Sequence, residues 1–345
     1  MKRIETVKNW RCFCLLAIVL LQLLFLPELR AEGIAISYPG LTGESASLWM
    51  ASEGGFFKEN GIDAKLIYME GGRLSIQSLL SGHTQFMAGD AVSAFTAVAG
   101  GADVVLLASA KNVLPYVFAV SKETKRFQDL KGKIIGISQI GGRAGEIARM
   151  VIKNGGLDPD RDVTYLAVGG TMSRLAALSG GRVHAAPISR GVMPMAEEKG
   201  LKVLEVEPIP LIIDALWTTR KYAEDNPDVI SRVAKAYVAG IAAIVKDKQK
   251  ALDVLRKYMR TADSKTLDSS YEVYVKGLDK VPIPDDKAIQ NTLEITYRVA
   301  PKLAGIDIKK HLYFAPFNAC RKKDISIDCT NNAARRVRVW HAFAI

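Results

Sequence analysis

The chain has 345 residues, 49% of them hydrophobic and 24% charged, with only four cysteines. That composition is too apolar for a disordered chain and too poor in cysteine for a disulfide scaffold, and it suits one large domain or two moderate ones. The net charge of +11 is not a nucleic-acid footprint. Residues 1–31 hold five Lys/Arg and two Asp/Glu, residues 319–345 hold six and two, and 32–318 keep only +4, with no basic run interleaved with aromatics.

At the N-terminus, Lys2, Arg3, Lys8 and Arg11 precede the fifteen-residue apolar run CFCLLAIVLLQLLFL (12–26), and a small residue, Ala31, follows. This pattern predicts a secretory signal peptide over 1–31, because a spanning helix needs ~20 apolar residues. Cys12 and Cys14 would leave with it. Residues 32–318 then contain no cysteine, so they hold neither a thiol nucleophile nor a Cys metal site.

IAISYP (34–39) alternates like a strand, and LTGESASLWMASEGGFFKENG (41–61) reads as a turn leading into an amphipathic helix capped by Thr42 or Ser45. IDAKLIYME is a second strand, followed by a helix over GGRLSIQSLLSG (71–82). TQFMAGDAVSAFTAVAGG gives a short strand, a polar turn at Gly89-Asp90 and another helix, and ADVVLLASA and PYVFAVS are strand-like runs. The next stretch repeats that order, with strand, glycine turn and helix over 130–158, a strand in DVTYLAVGG, a helix over GGTMSRLAALSG (169–180), and strands in VHAAPIS and LKVLEVE. From Trp217 on the chain turns helical, with Asn226 as cap and Pro227 at the first helical position, and these helices are expected to brace one lobe. The cadence predicts α/β layers with mostly parallel sheets. Residues 319–345 lack helical periodicity, carry Cys320 and Cys329, and read as an atypical basic tail.

The two quoted glycine-led helices match at six of twelve positions, and NGID (60–63) answers GGLD (155–158). Short turns demand glycine in any βα unit, but the shared order of flanking elements argues for two similarly built lobes.

Enzymatic motifs are sparse. The four histidines, at 83, 184, 311 and 341, make no metal-spaced pair, and neither a nucleophile elbow nor a phosphate-loop motif occurs. His184, in a strand, reads as a core residue. What recurs is polar or glycine-rich sequence at strand-to-helix turns: Thr42-Gly43-Glu44-Ser45, Gly71-Gly72-Arg73, Gly89-Asp90-Ala91-Val92-Ser93, Gly141-Gly142-Arg143-Ala144-Gly145 and Gly169-Gly170-Thr171-Met172-Ser173. In parallel α/β sheets such turns gather at the carboxyl ends of the strands, where free N–H groups and the helix dipole favour anions, although plain capping explains any one of them. Arg73 and Arg143 stand in first helical turns, where a cation opposes the dipole; a bound anion, solvent or a neighbouring Glu70 or Glu146 would compensate. Trp217 reads either as core or as an aromatic wall for a ligand.

SLWMASEGGFFKENGIDAKLIYMEGG (47–72), IQSLLSGHTQFMAGDA (76–91), DLKGKIIGIS (129–138), the stretch 155–189 and NPDVISRVAKAYVAGI (226–241) together resemble the solute-binding proteins of ABC importers, in the nitrate, sulfonate, taurine and thiamine-precursor-like branch. The resemblance covers about 32–318. It implies a type II two-lobe periplasmic-binding-protein fold: first lobe over 32–118 and 215–318, second over 119–214, and hinges near Val117–Ser121 and Asp214–Thr218. It implies a ligand met by Thr42 to Ser45, Asp90 to Ser93, Gly142 to Gly145, Thr171, and Pro187 to Ser189. It also implies a monomeric periplasmic protein without cofactor or metal, whose partners are a small anionic or zwitterionic solute and an inner-membrane permease. Two alternatives stand beside this, an enzyme of pyrimidine-precursor synthesis on the same scaffold and a ligand-sensing subunit. The sequence departs from the family's pattern in the Gly-Gly-Arg after GIS and in YFAPFNACRKK near the end.

Overall fold

The computed structural model describes residues 32–279 and 282–315. The expected leader and the basic tail at 319–345 lie outside the described residues. Among the described residues ten strands run in chain order: β1 (Glu32–Tyr38), β2 (Ile62–Tyr68), β3 (Phe86–Gly89), β4 (Val104–Val113), β5 (Tyr116–Val120), β6 (Lys133–Ile137), β7 (Val163–Ala167), β8 (Ala185–Ser189), β9 (Lys202–Leu204) and β10 (Pro210–Thr219). They form two sheets, ordered β2-β1-β3-β10-β4 and β7-β6-β8-β5-β9. Each sheet places its second strand outermost, then its first and third, then a strand that has come across from the other sheet. The repeated sequence therefore reflects a repeated lobe.

The sheets are more mixed than the βα cadence predicts. β1 pairs in parallel with β3, and β6 with β7 and β8, but β10 is antiparallel to β3 and β4, and β5 is antiparallel to β8 and β9. The odd strand is the one that crosses between sheets, so it arrives running against its neighbours. The crossings lie at Leu114–Pro115 and over residues 205–209, a few residues ahead of the expected hinges. Val117–Ser121 is already in or just beyond β5, and Asp214–Thr218 is within β10. The two crossings run side by side, Leu114 N donating to Ile209 O at 2.8 Å.

Helices fill the connections: α1 (Ala46–Glu53), α2 (Phe56–Glu59), α3 (Gly72–Leu80), α4 (Ala91–Ala99), α5 (Arg143–Asn154), α6 (Thr171–Ser179) and α7 (Met193–Glu198). A C-terminal set follows: α8 (Arg220–Asp225), α9 (Pro227–Lys246), α10 (Lys248–Met259), α11 (Ser264–Lys276) and α12 (Asp286–Val299). The first expected helix is broken at Gly54-Gly55, where Gly55 has φ +79°, a conformation that costs an L-residue 1–2 kcal/mol, roughly, but glycine little. Neither Thr42 nor Ser45 caps with its side chain, whereas Asp90 does, accepting from Ser93 N at 3.0 Å. Asn226 holds the N-cap position of α9, but its side-chain amide donates to Tyr222 O instead of capping. The long helical run from Pro227 splits at Asp247, which caps α10.

The C-terminal helices do more than brace one lobe. α9 packs on α1, and α12 on β10 and α4, all belonging to the first sheet, but α11 packs against the Arg190–Val192 turn that follows β8 in the second. Trp217 lies wholly in the core between β10 and α4, 0% exposed and edge-on to Phe95 at 5.3 Å. Among the described residues no helix is long and apolar enough to cross a membrane.

The α9–α1 contact has no spare room. A Cβ on Gly240 would stand 2.6 Å from Ser47 O and 2.7 Å from Ala51 N, so the helices could accept it only by parting. Gly240→Ala is expected to lower the unfolding free energy by about 1–3 kcal/mol in urea denaturation. An unchanged midpoint would mean that this pair can separate freely.

Candidate functional site

A small cavity of about 70 Å³ lies between the sheets. The turns after β1, β2 and β3 wall one side with Gly40, Thr42, Glu44, Ser45, Gly71, Gly72, Asp90 and Ser93. The turns after β6 and β7 wall the other with Ser138, Gln139, Gly142, Arg143, Gly170, Thr171 and Arg174, while Tyr116 of β5 and Ile213 and Asp214 of β10 complete it beside the crossings. All five turns stand at carboxyl ends of strands, where α/β sheets leave a crevice.

Arg143, the first residue of α5, reaches across this gap. Its Nη2 donates to Glu44 Oε2 at 2.8 Å and to Tyr116 OH at 3.0 Å, and its guanidinium stands 5.3 Å from the Tyr116 ring centre. The predicted cation against the helix dipole is thus compensated by Glu44 of the opposite lobe, not by Glu146 one turn on. Among the described residues Glu44 Oε1 is buried without a hydrogen-bond partner, an unsatisfied acceptor on a charged group. Behind Glu44, the buried Lys111 donates Nζ to Val273 O at 2.5 Å, and burial pulls its pKa down to about 8.

Arg174 is the second guanidinium of the site, 2% exposed. Nε donates to Pro187 O at 2.7 Å, Nη1 to Gly169 O at 2.9 Å and Nη2 to Thr171 Oγ1 at 3.0 Å. These acceptors are all neutral. Burial lowers its pKa below the ordinary arginine range, and Tyr116 and the more distant charge of Glu44 offset this only in part, so the cation is poorly compensated.

Asp214 stands in the cavity wall at 2% exposure. Oδ2 accepts from Tyr274 OH at 2.5 Å and Oδ1 from Tyr237 OH at 2.9 Å, which ties β10 to α11 and α9. Burial pushes its pKa up to about 6, against the pull of those phenols.

Of the residues singled out from sequence, Thr42, Glu44, Ser45, Asp90, Ser93, Gly142, Arg143 and Thr171 line the cavity, and seven do not. Arg73 points to solvent at the surface of α3, where water compensates its charge. Ala91 and Trp217 are core residues of the first lobe. Gly145 lies against Ile137 beneath α5. Pro187 acts at one remove, through the carbonyl that holds Arg174. Gly43 and Ser189 face a separate small gap beside Lys111 and Ser270. His184 is engaged between strands, its Nδ1 accepting from Ile134 N at 3.2 Å.

Sequence reasoning missed Tyr116, Gln139, Arg174 and Asp214. Two of them had a signal. Aligning the repeated helices sets Arg174 opposite Ile76, a core residue, and Asp214 is the one charge within PLIIDALW. A charge in an apolar phase is held there by something.

Two lobes closing on a crevice at their strand ends define the periplasmic-binding-protein class of fold, and comparison with solved structures agrees. A Bordetella bronchiseptica RB50 protein matches with a TM-score of 0.74 at 19% identity, over 85% of this chain and 98% of that one. The Escherichia coli periplasmic aliphatic sulphonate binding protein SsuA gives 0.63 at 19%, over 82% and 92%. The Synechocystis PCC 6803 periplasmic nitrate-binding protein NrtA gives 0.66 at 12%, over 88% and 91%. At these identities the likeness speaks for the fold alone. The family model described as NMT1/THI5 like matches residues 42–251, more than half of the chain, and the chain belongs to that family.

The Asp214 pKa sets a pH dependence. Its folded value of about 6 lies above the ordinary 3.8, so the folded state holds the proton longer. The stability this favours is present below about pH 4 and is lost as pH rises through about 6. The difference in unfolding free energy between wild type and Asp214→Asn is therefore expected to fall by about 2–3 kcal/mol from pH 4 to pH 7. A difference that stays flat would show that Asp214 titrates as an ordinary carboxyl.

Proposed function

We propose that the protein is the solute-capturing component of an ABC importer, closing its two lobes on a small anionic solute and presenting the closed form to a permease. The observation that carries this is Arg174, a buried cation in the cavity wall whose own partners are all neutral. An anion arriving with a solute completes its charge balance, and each charge-assisted hydrogen bond so formed contributes ~1.5–3 kcal/mol. The Glu44–Arg143 pair spans the gap, so closure is coupled to the arrangement of charges around the guest. A permease that prefers the closed form then gives direction.

In this reading residues 32–113 and 210–315 form one jaw and 116–204 the other, and residues 1–31 export the chain to the periplasm. The sulfonate- and nitrate-binding proteins named above support a compact oxyanion group on the solute. Against an enzymatic role, the cavity is lined by neither cysteine nor histidine among the described residues.

The test is a melting-temperature titration of the purified protein with nitrate, taurine, alkanesulfonates, aromatic carboxylates and pyrimidines. At least one anionic member is expected to stabilise the fold by about 2.7 kcal/mol at a hundred times its Kd. Arg174→Gln is expected to weaken that binding about 10- to 150-fold. Failure of every member at millimolar concentration, or release of a chemically altered compound, would count against capture and delivery.

A further inference from the structure

The two copies of the repeated turn face each other across the crevice. Glu70 ends the loop after β2, just ahead of Gly71, and its counterpart in the second copy is Val168. Glu70 Oε1 accepts from Gly170 N at 2.6 Å and from Ser173 Oγ at 2.7 Å. Both donors belong to the other lobe, at the N-cap and third residue of α6.

α6 needs that acceptor. Its N-cap is Gly170, which has no side chain, and no side-chain capping bond is made within the lobe. Free N–H groups and the positive end of the dipole are left there, and a carboxylate is the group that best satisfies both. In a capping box the third helical residue of the same helix supplies the carboxylate. Here that position is Ser173, which itself donates to the visiting Glu70. The glycine pair makes room: a Cβ would stand 2.7 Å from Glu70 Oε1 on Gly169 and 3.0 Å from it on Gly170. Gly169 also has φ +99°. In the first copy the same pair admits a different neighbour, since a Cβ on Gly72 would collide with Ser93 and Asp90 of its own lobe.

We infer that Glu70 is a positioning residue for capture: a latch at the edge of the cavity that holds the lobes together by capping the opposite lobe's helix α6 at Gly170, a residue of the cavity wall, while Glu70 itself is not part of that wall. It rests on the two-lobe reading but not on the identity of the solute. Opening the crevice breaks both hydrogen bonds at once and leaves the first turn of α6 to water.

The test is amide hydrogen exchange on the full-length protein without added solute, comparing wild type with Glu70→Ala, Glu70→Gln and Ser173→Ala. In Glu70→Ala, exchange is expected to quicken about 5- to 30-fold, over residues 168–174 and also over 40–46 and 139–146, the segments that carry the Glu44–Arg143 contact. Ser173→Ala, which acts from the other lobe, is expected to give the same pattern more weakly, and Glu70→Gln to lie between wild type and Glu70→Ala. The double variant Glu70→Ala/Ser173→Ala is expected to match Glu70→Ala alone, since the two share one contact. The latch is overturned if the acceleration stays within 168–174, is absent, adds in the double variant, or spreads evenly into β4 as general loosening. Because no solute is present, that failure is independent of the melting titration: a protein that binds an anion but shows no such pattern keeps the transport reading and loses the latch.

Discussion

The pairing of β10 with both β3 and β4 is the constraint on which the rest of the molecule depends. It returns the chain from the second sheet into the middle of the first, and it sets the two crossings beside each other, joined by the Leu114–Ile209 hydrogen bond. With the two crossings side by side, the strand ends of both sheets face the same gap. β10 also carries Asp214 to the floor of that gap, where Tyr237 and Tyr274 hold it, so the strand that joins the lobes is also part of the cavity wall.

Electrostatics then divides the labour between two arginines. Arg143 has a carboxylate partner across the crevice, and a buried pair of this kind stabilises little in net terms because desolvation offsets most of the attraction. Its value is register, since it fixes which turn of one lobe faces which turn of the other. Arg174 has no carboxylate on it and is held in place by three neutral acceptors. In the proposed function the first arrangement would report closure and the second would receive the anion. Glu70 adds a third contact at the rim, where solvent screening keeps its contribution modest.

The duplicated architecture explains why similar turns do different work. Both copies of the glycine-led helix begin with a glycine in the left-handed region, Gly71 at φ +84° and Gly169 at φ +99°, because the chain must turn sharply from strand into helix. Beyond that shared geometry the copies diverge in side chains: Glu70 against Val168, Arg73 against Thr171, Ile76 against Arg174. The first copy sends a carboxylate outward and keeps its helix face apolar. The second receives that carboxylate and turns a guanidinium inward.

Much of the fold was legible in the sequence because its signals are local. Strand alternation, glycine punctuation and the Asp90 and Pro227 helix starts depend on residues within a few positions of one another, and the doubled order of elements exposed two lobes. The turns that wall the cavity were legible for the same reason, since a βα turn announces itself by its glycines and short polar residues. What only the tertiary structure decided was which of these turns meet, and through which side chains. Arg143 could have paired with Glu146 one helical step away, but the fold gives it Glu44, ninety-nine residues distant in sequence. Trp217 could have walled a ligand site, but the alternation of β10 turns it into the core, and Asp214 lines the cavity in its place. Pairings across a crevice depend on how two separately folded sheets are brought together, and no short window of sequence carries that distance.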